Sequence, residues 1–229
     1  MAPSEKHIAN PPLKRRRKPG RPSVGGAAED IRLLILLAAK AVYAEYGYQG
    51  TTVARILQEA KVSRSTFYRH FSDCHQVVDE IIENACNELL GAVVQAAMVE
   101  KTTLKRGQAG IRAYFNWCDE VGSLASAIYG EMNLAESPAQ KHRNRIVASF
   151  VNLVHEQSDI SGEQKLEPLF YDTLVRSIEH LVHSVFAPSD CGADEAKRRT
   201  VIAERILLAA LAEPEDSGSV PRLSELAMG

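Results

Sequence analysis

The segment 51–71, TTVARILQEAKVSRSTFYRHF, constrains the fold of this 229-residue chain more than any other stretch. Thr51 and Thr52, and then Ser63, each stand just before an apolar-periodic run, where a side-chain hydroxyl satisfies the first free amides of a helix. Only two residues separate the first run from Ser63. The segment therefore predicts two short helices joined by a tight turn.

The second of these helices has two unlike faces. Phe67 and Phe71 are four residues apart and share the inner face. The outer face carries hydroxyl, guanidinium and imidazole groups, with no acid among them: Arg64, Ser65, Thr66, Tyr68, Arg69 and His70. Such donors suit phosphate oxygens and base edges, so the pattern favours a DNA-reading surface over the alternative of a merely solvated helix face.

Longer helices flank this pair. The run Glu29–Tyr46 predicts a helix that Gly47 ends, because glycine adopts the left-handed C-terminal position readily. Its buried side is predicted to be Ile35, Ala38, Ala39, Val42 and Tyr46. Asp73 with Gln76 makes an approximate capping box for a long helix over Cys74–Met98.

With these four helices in order, residues 35–71 resemble the TetR (tetracycline repressor) family of bacterial transcription regulators, including the ending at Tyr68, His70 and Phe71. The resemblance implies an all-α protein with a three-helix helix-turn-helix DNA-binding domain at 29–72. A helical ligand-binding and dimerisation domain is expected at 73–212. It also implies a repressor that a small-molecule effector releases from a palindromic operator in double-stranded DNA.

The predicted DNA contacts within these helices are Thr51, Thr52, Lys61, Ser63, Arg64, Ser65, Thr66, Tyr68, Arg69 and His70. Lys61 stands where the family usually has glycine, and Cys74 and His75 where it often has lysine.

Charge is strongly segregated along the chain. Residues 1–28 hold seven basic residues and one acidic residue, whereas residues 29–229 hold 20 basic and 28 acidic ones. Proline, glycine and serine surround the basic run, which predicts a disordered arm that orders on its partner. KRRRKPGRPS partly resembles an AT-hook, so Arg17, Lys18 and Arg21 are candidate minor-groove contacts. The alternative is a generic basic tail held by counterion release.

Composition excludes several other classes of protein. No apolar run reaches the roughly 20 residues of a membrane helix, and no signal peptide is evident, so we expect a cytoplasmic, nucleoid-associated bacterial protein. The four cysteines are widely spaced and form no CxxC pair, which predicts reduced thiols, although Cys74 near a helix start remains an alternative redox sensor. His180 and His183 lack further ligands nearby, and no catalytic motif is present. We therefore expect no metal, no cofactor and no enzymatic activity.

Helical periodicity continues beyond residue 103 and predicts five more helices, at about 104–121, 123–132, 138–157, 166–186 and 193–212, with a flexible tail at 213–229. The last two helices are apolar over more than one face, so each must bury a second face against a partner. The resemblance likewise implies a homodimer closed by these helices. The predicted interface is Phe170, Leu174, Ile178, Leu181, Val201, Arg205 and Leu208.

The middle helices gather most of the aromatic and sulfur-containing side chains. We predict a ligand cavity lined by Tyr114, Trp117, Cys118, Tyr129, Met132 and Phe150, for an effector that the sequence does not identify. The alternative for each residue is ordinary core packing. For the whole protein, the alternative function is a helical interaction protein with non-specific DNA binding.

Overall fold

The structure, a computed structural model, describes residues 24–134, 137–161, 167–184 and 193–211. These ranges form nine α-helices and contain no strand: α1 Val24–Gly50, α2 Val53–Ala60, α3 Arg64–Tyr68, α4 Cys74–Met98, α5 Thr103–Val121, α6 Ser123–Glu131, α7 Ala139–Ser161, α8 Pro168–Ser184 and α9 Ala193–Leu211. The predicted all-α class is confirmed. Arg17, Lys18 and Arg21 of the predicted arm and the whole predicted tail lie outside the described residues, whereas residues 24–28 belong to α1.

Helix α1 breaks at Gly47, as the sequence predicts. Gly47 has φ 66° and ψ −173°, a conformation essentially confined to glycine. A Cβ atom added there would lie 2.9 Å from Oε1 of Glu131. The break turns the chain from α1 toward α2.

The buried face of α1 differs from the prediction at one position. Ile35, Ala38, Ala39 and Val42 are buried as expected, but Tyr46 is 45% exposed. Tyr43 is the buried tyrosine instead, because its hydroxyl finds a hydrogen-bond acceptor inside the protein, which a buried phenol needs. Tyr46 is covered from outside by the guanidinium of Arg55, 4.2 Å above its ring.

The two short helices begin at the predicted caps. The hydroxyl of Thr52 accepts a hydrogen bond from the amide of Arg55, and that of Ser63 accepts one from Thr66. Lys61 ends α2 in the left-handed conformation, with φ 54° and ψ 36°. Helix α3 is shorter than expected, because the amides of Arg69 and His70 bond to carbonyls three residues back and the chain turns.

Helix α4 joins the helix-turn-helix unit to the rest of the chain. Asp73 caps it by accepting from the amide of Gln76, while the Gln76 side chain accepts from the amide of Ser72 at 2.7 Å. The reciprocal bond of the predicted capping box therefore reaches one residue further back. Seven apolar side chains between Val77 and Leu89 are buried. They pack against α1, α5 and α7, so one continuous core links both ends of α4.

Helices α5 to α9 pack on one another, and α5 and α7 also pack on α4. Helix α5 packs on α4 and α9, and α7 packs on α4 and α8. The predicted ends of these helices agree with the structure to within four residues. No helix of the described ranges is long and apolar enough to cross a membrane.

Candidate nucleic-acid interface and internal cavity

The surface of α3 presents polar groups to solvent and apolar groups to the core. Phe67 and Phe71 are buried beneath it, as predicted, with ring centroids 5.8 Å apart. We call the outward-facing side chains the reading face, and they are Ser63, Arg64, Ser65, Thr66, Tyr68 and Arg69. All are exposed except Thr66, which is half-buried. The structure brings these predicted residues together on one side of the molecule.

Three hydroxyls of the reading face form a local cluster. The Ser63 oxygen lies 2.9 Å from the Ser65 hydroxyl and 2.8 Å from the Thr66 hydroxyl. Each hydroxyl can donate or accept, so the cluster can exchange these internal hydrogen bonds for bonds to phosphates or base edges. Thr52 and Lys61 are exposed close by along the chain.

Two of the predicted DNA contacts are placed differently. Thr51 is only 6% exposed, and its hydroxyl donates to the carbonyl of Gly47 at 2.6 Å, so it holds the connection between α1 and α2. His70 is half-buried, and its Nε2 atom is enclosed without a hydrogen-bond partner among the described residues. Neither Thr51 nor the His70 Nε2 atom lies on the reading face. Thr51 is buried because its hydroxyl closes the connection between α1 and α2, and His70 is half-buried in the turn that follows α3.

Arg55 is an exposed cation that the sequence reasoning missed. Its guanidinium donates to the carbonyl of Gly50 and stacks on Tyr46, at the edge of the same surface. The sequence signal for Arg55 was its position on the polar side of α2, three residues after the Thr52 cap. On the inner side of the domain, Arg32 ties α1 to α4 through paired bonds to Glu80 and lies 4.8 Å over the Phe71 ring.

The start of α4 contains two polar residues close to the helix-turn-helix unit. The Cys74 thiol donates to the Thr51 carbonyl at 3.2 Å, and burial raises the pKa of this thiol. A redox sensor needs an accessible thiolate, so this environment disfavours the alternative role for Cys74. His75 is exposed, with its Nδ1 atom 2.8 Å from the Tyr48 hydroxyl.

A cavity of about 260 Å³ lies among α4, α5, α7, α8 and α9. Most of its lining is aliphatic or aromatic: Val93, Val94, Ala97, Met98, Thr103, Arg106, Gly107, Gly110, Ile111, Tyr114, Phe150, Leu153, Tyr171, Leu174, Val175, Ile178 and Leu207. Tyr114 and Phe150 line it, as the sequence predicts. Gly107 and Gly110 let the side chains of Leu207 and Val93 approach α5 closely at the cavity wall, and the spacing of three between the glycines was the sequence signal for this position.

Four predicted ligand contacts lie elsewhere. Trp117, Cys118 and Met132 are buried in the core, and Tyr129 stacks on His183. Trp117 and Cys118 miss the cavity because of their position along α5. The cavity lies beside the glycines of α5, whereas these two residues lie beyond Tyr114, toward the packed C-terminal end of the helix. Burial accordingly raises the pKa of the Cys118 thiol.

Two polar groups interrupt the apolar lining at one end of α5. The Thr103 hydroxyl is buried and has no hydrogen-bond partner among the described residues. Arg106 is the one charged side chain in the lining, and its Nε atom donates to the Glu100 carbonyl at 2.9 Å. The cavity is therefore amphipathic, with a long apolar wall and a polar end.

The predicted dimer contacts divide between two surfaces. Leu174 and Ile178 line the cavity, which corrects their assignment to the interface, because this side of α8 faces the interior. Phe170 and Leu181 are half-buried. Val201, Arg205 and Leu208 are exposed on α9, and so is Ile202. The exposed apolar surface of α9 is thus the part of the predicted interface that remains available to a partner.

His180 and His183 differ sharply in environment. His180 is exposed, with Nδ1 3.1 Å from the Tyr129 hydroxyl. His183 is buried, and its Nε2 atom is 2.7 Å from the Tyr114 hydroxyl. Burial, with the charge of Arg143 second, lowers the pKa of His183 to about 3. Within the described ranges, no three metal-binding side chains gather at one point.

Known proteins match the chain both in sequence and in fold. Residues 35–81 match the family model for bacterial regulatory proteins of the tetR family. The nucleoid occlusion factor SlmA of Mannheimia succiniciproducens is 24% identical over 118 residues, 49% of this chain and 55% of that protein. The HTH-type transcriptional activator FasR of Mycolicibacterium smegmatis is 26% identical over 85 residues, 37% of this chain and 39% of that protein. The chain thus spans about half of the length of the first relative and about two fifths of the second.

Two solved structures share the fold over most of the chain. The fatty acid degradation regulator FadR of Bacillus halodurans has a TM-score of 0.67 and 18% identity, covering 85% of this chain and 98% of that one. FadR of Bacillus subtilis, solved in complex with stearoyl-CoA, has a TM-score of 0.66 and 19% identity, covering 79% and 99%. At these identities the likeness establishes the fold alone. The matched family model covers the later part of α1, all of α2 and α3 and the start of α4, so residues 35–81 form a region of the type found in bacterial regulatory proteins of the tetR family.

Proposed function

We propose that the protein is a sequence-specific DNA-binding transcriptional regulator, acting as a repressor on a palindromic operator. The single observation that carries this proposal is the reading face, six polar side chains on α3 and its two caps, beneath which Phe67 and Phe71 are buried. Residues 51–71 contain four basic residues and one acidic residue, in a chain with a net charge of −2. The positive charge is therefore concentrated where phosphates would lie.

The geometry of α3 suits the major groove of DNA. A recognition helix contacts base edges with a few side chains near its start, while flanking groups bind phosphates and fix the register. Ser65, Thr66 and Tyr68 offer hydroxyls for base edges. Arg64 and Arg69 offer guanidinium groups, which bind guanine or phosphate with paired hydrogen bonds. The predicted arm, with Arg17, Lys18 and Arg21, would add further phosphate or minor-groove contacts. The protein would bind DNA in the bacterial cytoplasm, at the nucleoid.

A palindromic operator requires two reading faces related by two-fold symmetry. The exposed apolar residues of α9, Val201, Ile202 and Leu208, supply a surface that a second copy of the chain would cover. A homodimer through α8 and α9 is therefore part of the proposal.

The cavity supports a small-molecule effector with an apolar chain and one polar or anionic group. The apolar wall would bury the chain, and the Thr103 hydroxyl and Arg106 would bind the polar group. Its volume of about 260 Å³ is at the small end of ligand cavities, which favours a narrow chain over a bulky ring system. That FadR of Bacillus subtilis is solved with stearoyl-CoA supports a fatty acyl compound as the class of effector.

Release from DNA would follow by linkage. An effector that binds better to a form with the reading faces moved out of register lowers operator affinity by its differential affinity for the two forms.

The test is selection of bound fragments from genomic DNA with the full-length protein, followed by affinity measurements at one salt concentration. Fragments sharing a palindrome should be enriched, and Arg69→Ala should weaken their binding by about 1–3 kcal/mol. Arg112→Ala, an exposed arginine on α5, is the matched control and should leave binding unchanged. Enrichment of no common sequence would overturn the proposal in favour of a helical interaction protein.

A further inference from the structure

Two neighbouring apolar side chains at the end of α4 are strongly exposed. Met98 is 75% exposed and Val99 is 80% exposed, more than any other large apolar side chain among the described residues. Met98 also lines the cavity, so the cavity opens to solvent at this point. Exposed apolar side chains at the entrance of an apolar cavity mark a surface that another apolar group can cover.

The same stretch of chain is basic. Lys101 and Lys105 are exposed, and Arg106 lines the cavity. Glu100 is the one acidic residue in 98–107. We call the surface made by Met98, Val99, Lys101 and Lys105 the mouth of the cavity. Its chemistry suits a partner that is apolar and carries negative charge nearby.

Helix α9 ends beside the mouth. Arg112 on α5 pairs with Glu204 on α9 at 2.6 Å. Gly107, earlier on α5, faces the side chain of Leu207, later on α9. The two helices therefore run antiparallel, and the end of α9 at Leu211 comes opposite the first turn of α5. The chain thus leaves α9 close to the entrance of the cavity.

The 18 residues that follow α9 combine an acidic stretch with an apolar one. Residues 212–219, AEPEDSGS, hold three acidic residues and no basic one. Residues 220–228, VPRLSELAM, which we call the tail segment, place Val220, Leu223 and Leu226 at a spacing of three, the spacing of one side of a helix. The eight residues before the tail segment can span up to about 26 Å, which is enough to return to the mouth.

We propose that the tail segment covers the mouth of its own subunit and competes with the effector for the cavity. This inference rests on the proposed function, because it assigns how access to the effector site is controlled. The leucines of the tail segment would pack on Met98 and Val99, and the acidic residues of 212–219 would lie near Lys101 and Lys105. Exposed ion pairs add little affinity each, so the apolar contact holds the segment while the charges select it.

Two other occupants fit the mouth less well. The basic arm, residues 1–28, holds seven basic residues and one acidic residue, so Lys101 and Lys105 would repel it. A second copy of the chain, placed mouth to mouth by two-fold symmetry, would bring the same lysines together. The tail segment has the opposite charge beside it and is tethered, which gives it an effective concentration on the order of millimolar.

The experiment is methyl NMR of the full-length protein without ligand or DNA, with ¹³C in the methionine methyl groups and a soluble gadolinium chelate as the probe of exposure. Met98 and Met228 belong to the proposed contact, and buried Met132 is the internal reference. The test variant is Leu223→Ser with Leu226→Ser. The chelate should relax Met98 and Met228 about threefold less in the wild type than in this variant, as for a segment docked about two thirds of the time.

A matched control makes the same change at two other exposed leucines. Leu33→Ser with Leu37→Ser alters the outer side of α1 and should leave the relaxation of Met98 and Met228 as in the wild type. Equal relaxation of Met98 in the wild type and in the tail variant would overturn the docking. Protection of Met98 while Met228 is fully relaxed would overturn it too, because another part of the protein would then cover the mouth.

Decanoate binding, measured by calorimetry, separates this inference from the proposed function. The tail variant should bind decanoate about threefold more tightly than the wild type, because its cavity is no longer covered for about two thirds of the time. Equal affinities in proteins that differ in Met98 relaxation would contradict the competition. Absence of decanoate binding in both proteins would contradict the proposed class of effector, while the methionine signals would still decide whether the tail segment docks.

Discussion

Acidification should destabilise the protein through one buried side chain, His183. Its imidazole is 5% exposed, and burial lowers its pKa from 6.5 to about 3. The Nε2 atom is beside the Tyr114 hydroxyl, while Nδ1 is buried without a partner among the described residues. A second proton would therefore leave a buried charge without an acceptor.

The size of the effect follows from the two pKa values. The folded state keeps His183 neutral over the range in which the unfolded chain becomes protonated, so stability is highest above pH 6.5 and falls as pH drops toward 3. At pH 5 the unfolded group is 1.5 pH units below its pKa, and each unit corresponds to about 1.4 kcal/mol. His183 alone should then cost about 2 kcal/mol relative to pH 7.5.

Urea unfolding at pH 7.5 and pH 5.0, at fixed protein concentration, measures this cost. The wild type should lose about 2 kcal/mol more stability than His183→Gln over that interval, because other titrating groups are common to both proteins. His75→Gln removes an exposed histidine and is the control for the loss of an imidazole. Equal losses in the wild type and His183→Gln would refute the assignment of a buried neutral imidazole.

Three further predictions concern the DNA-binding part. Lys61→Gly should raise the free energy of unfolding by about 1 kcal/mol in urea titrations, because Lys61 holds a left-handed conformation that costs a side chain about that much. Gly47→Ala should lower the free energy of unfolding by about 1–3 kcal/mol, because alanine is strained at a φ of 66° and its methyl group would contact Glu131. An unchanged urea midpoint would contradict the fold at this turn. Deleting residues 1–23, which leaves α1 whole, should weaken operator binding and reduce the slope of log affinity against log salt by about 0.9 for each phosphate that the arm neutralises. An unchanged slope in salt titrations would exclude a DNA-contacting arm.

Local interactions made the helix-turn-helix unit predictable. The caps at Thr52, Ser63 and Asp73 act within three residues, and the break at Gly47 is a property of one residue. The helix ends depend on the same short-range rules and were predicted to within a few residues. The inward position of Phe67 depends on them too and was predicted correctly. The reading face followed from them, because a buried face fixes the exposed one.

Positions that depend on packing between distant helices were not predictable. Tyr43 and Tyr46 are alternatives on α1, and only the acceptor on Glu131, 88 residues away, selects Tyr43 for burial. The cavity was placed too far along α5, since its position depends on how α8 and α9 meet the glycines of that helix. Leu174 and Ile178 have the spacing of both a core face and an interface, and periodicity alone does not separate the two.

The central claim is that the reading face distinguishes one DNA sequence from others. The most direct measurement is the ratio of dissociation constants of the full-length protein for a shuffled fragment and for the selected genomic fragment, at equal length and salt. A sequence-specific regulator should give a ratio of at least about 10³. A ratio near one, with both fragments bound, would contradict the claim.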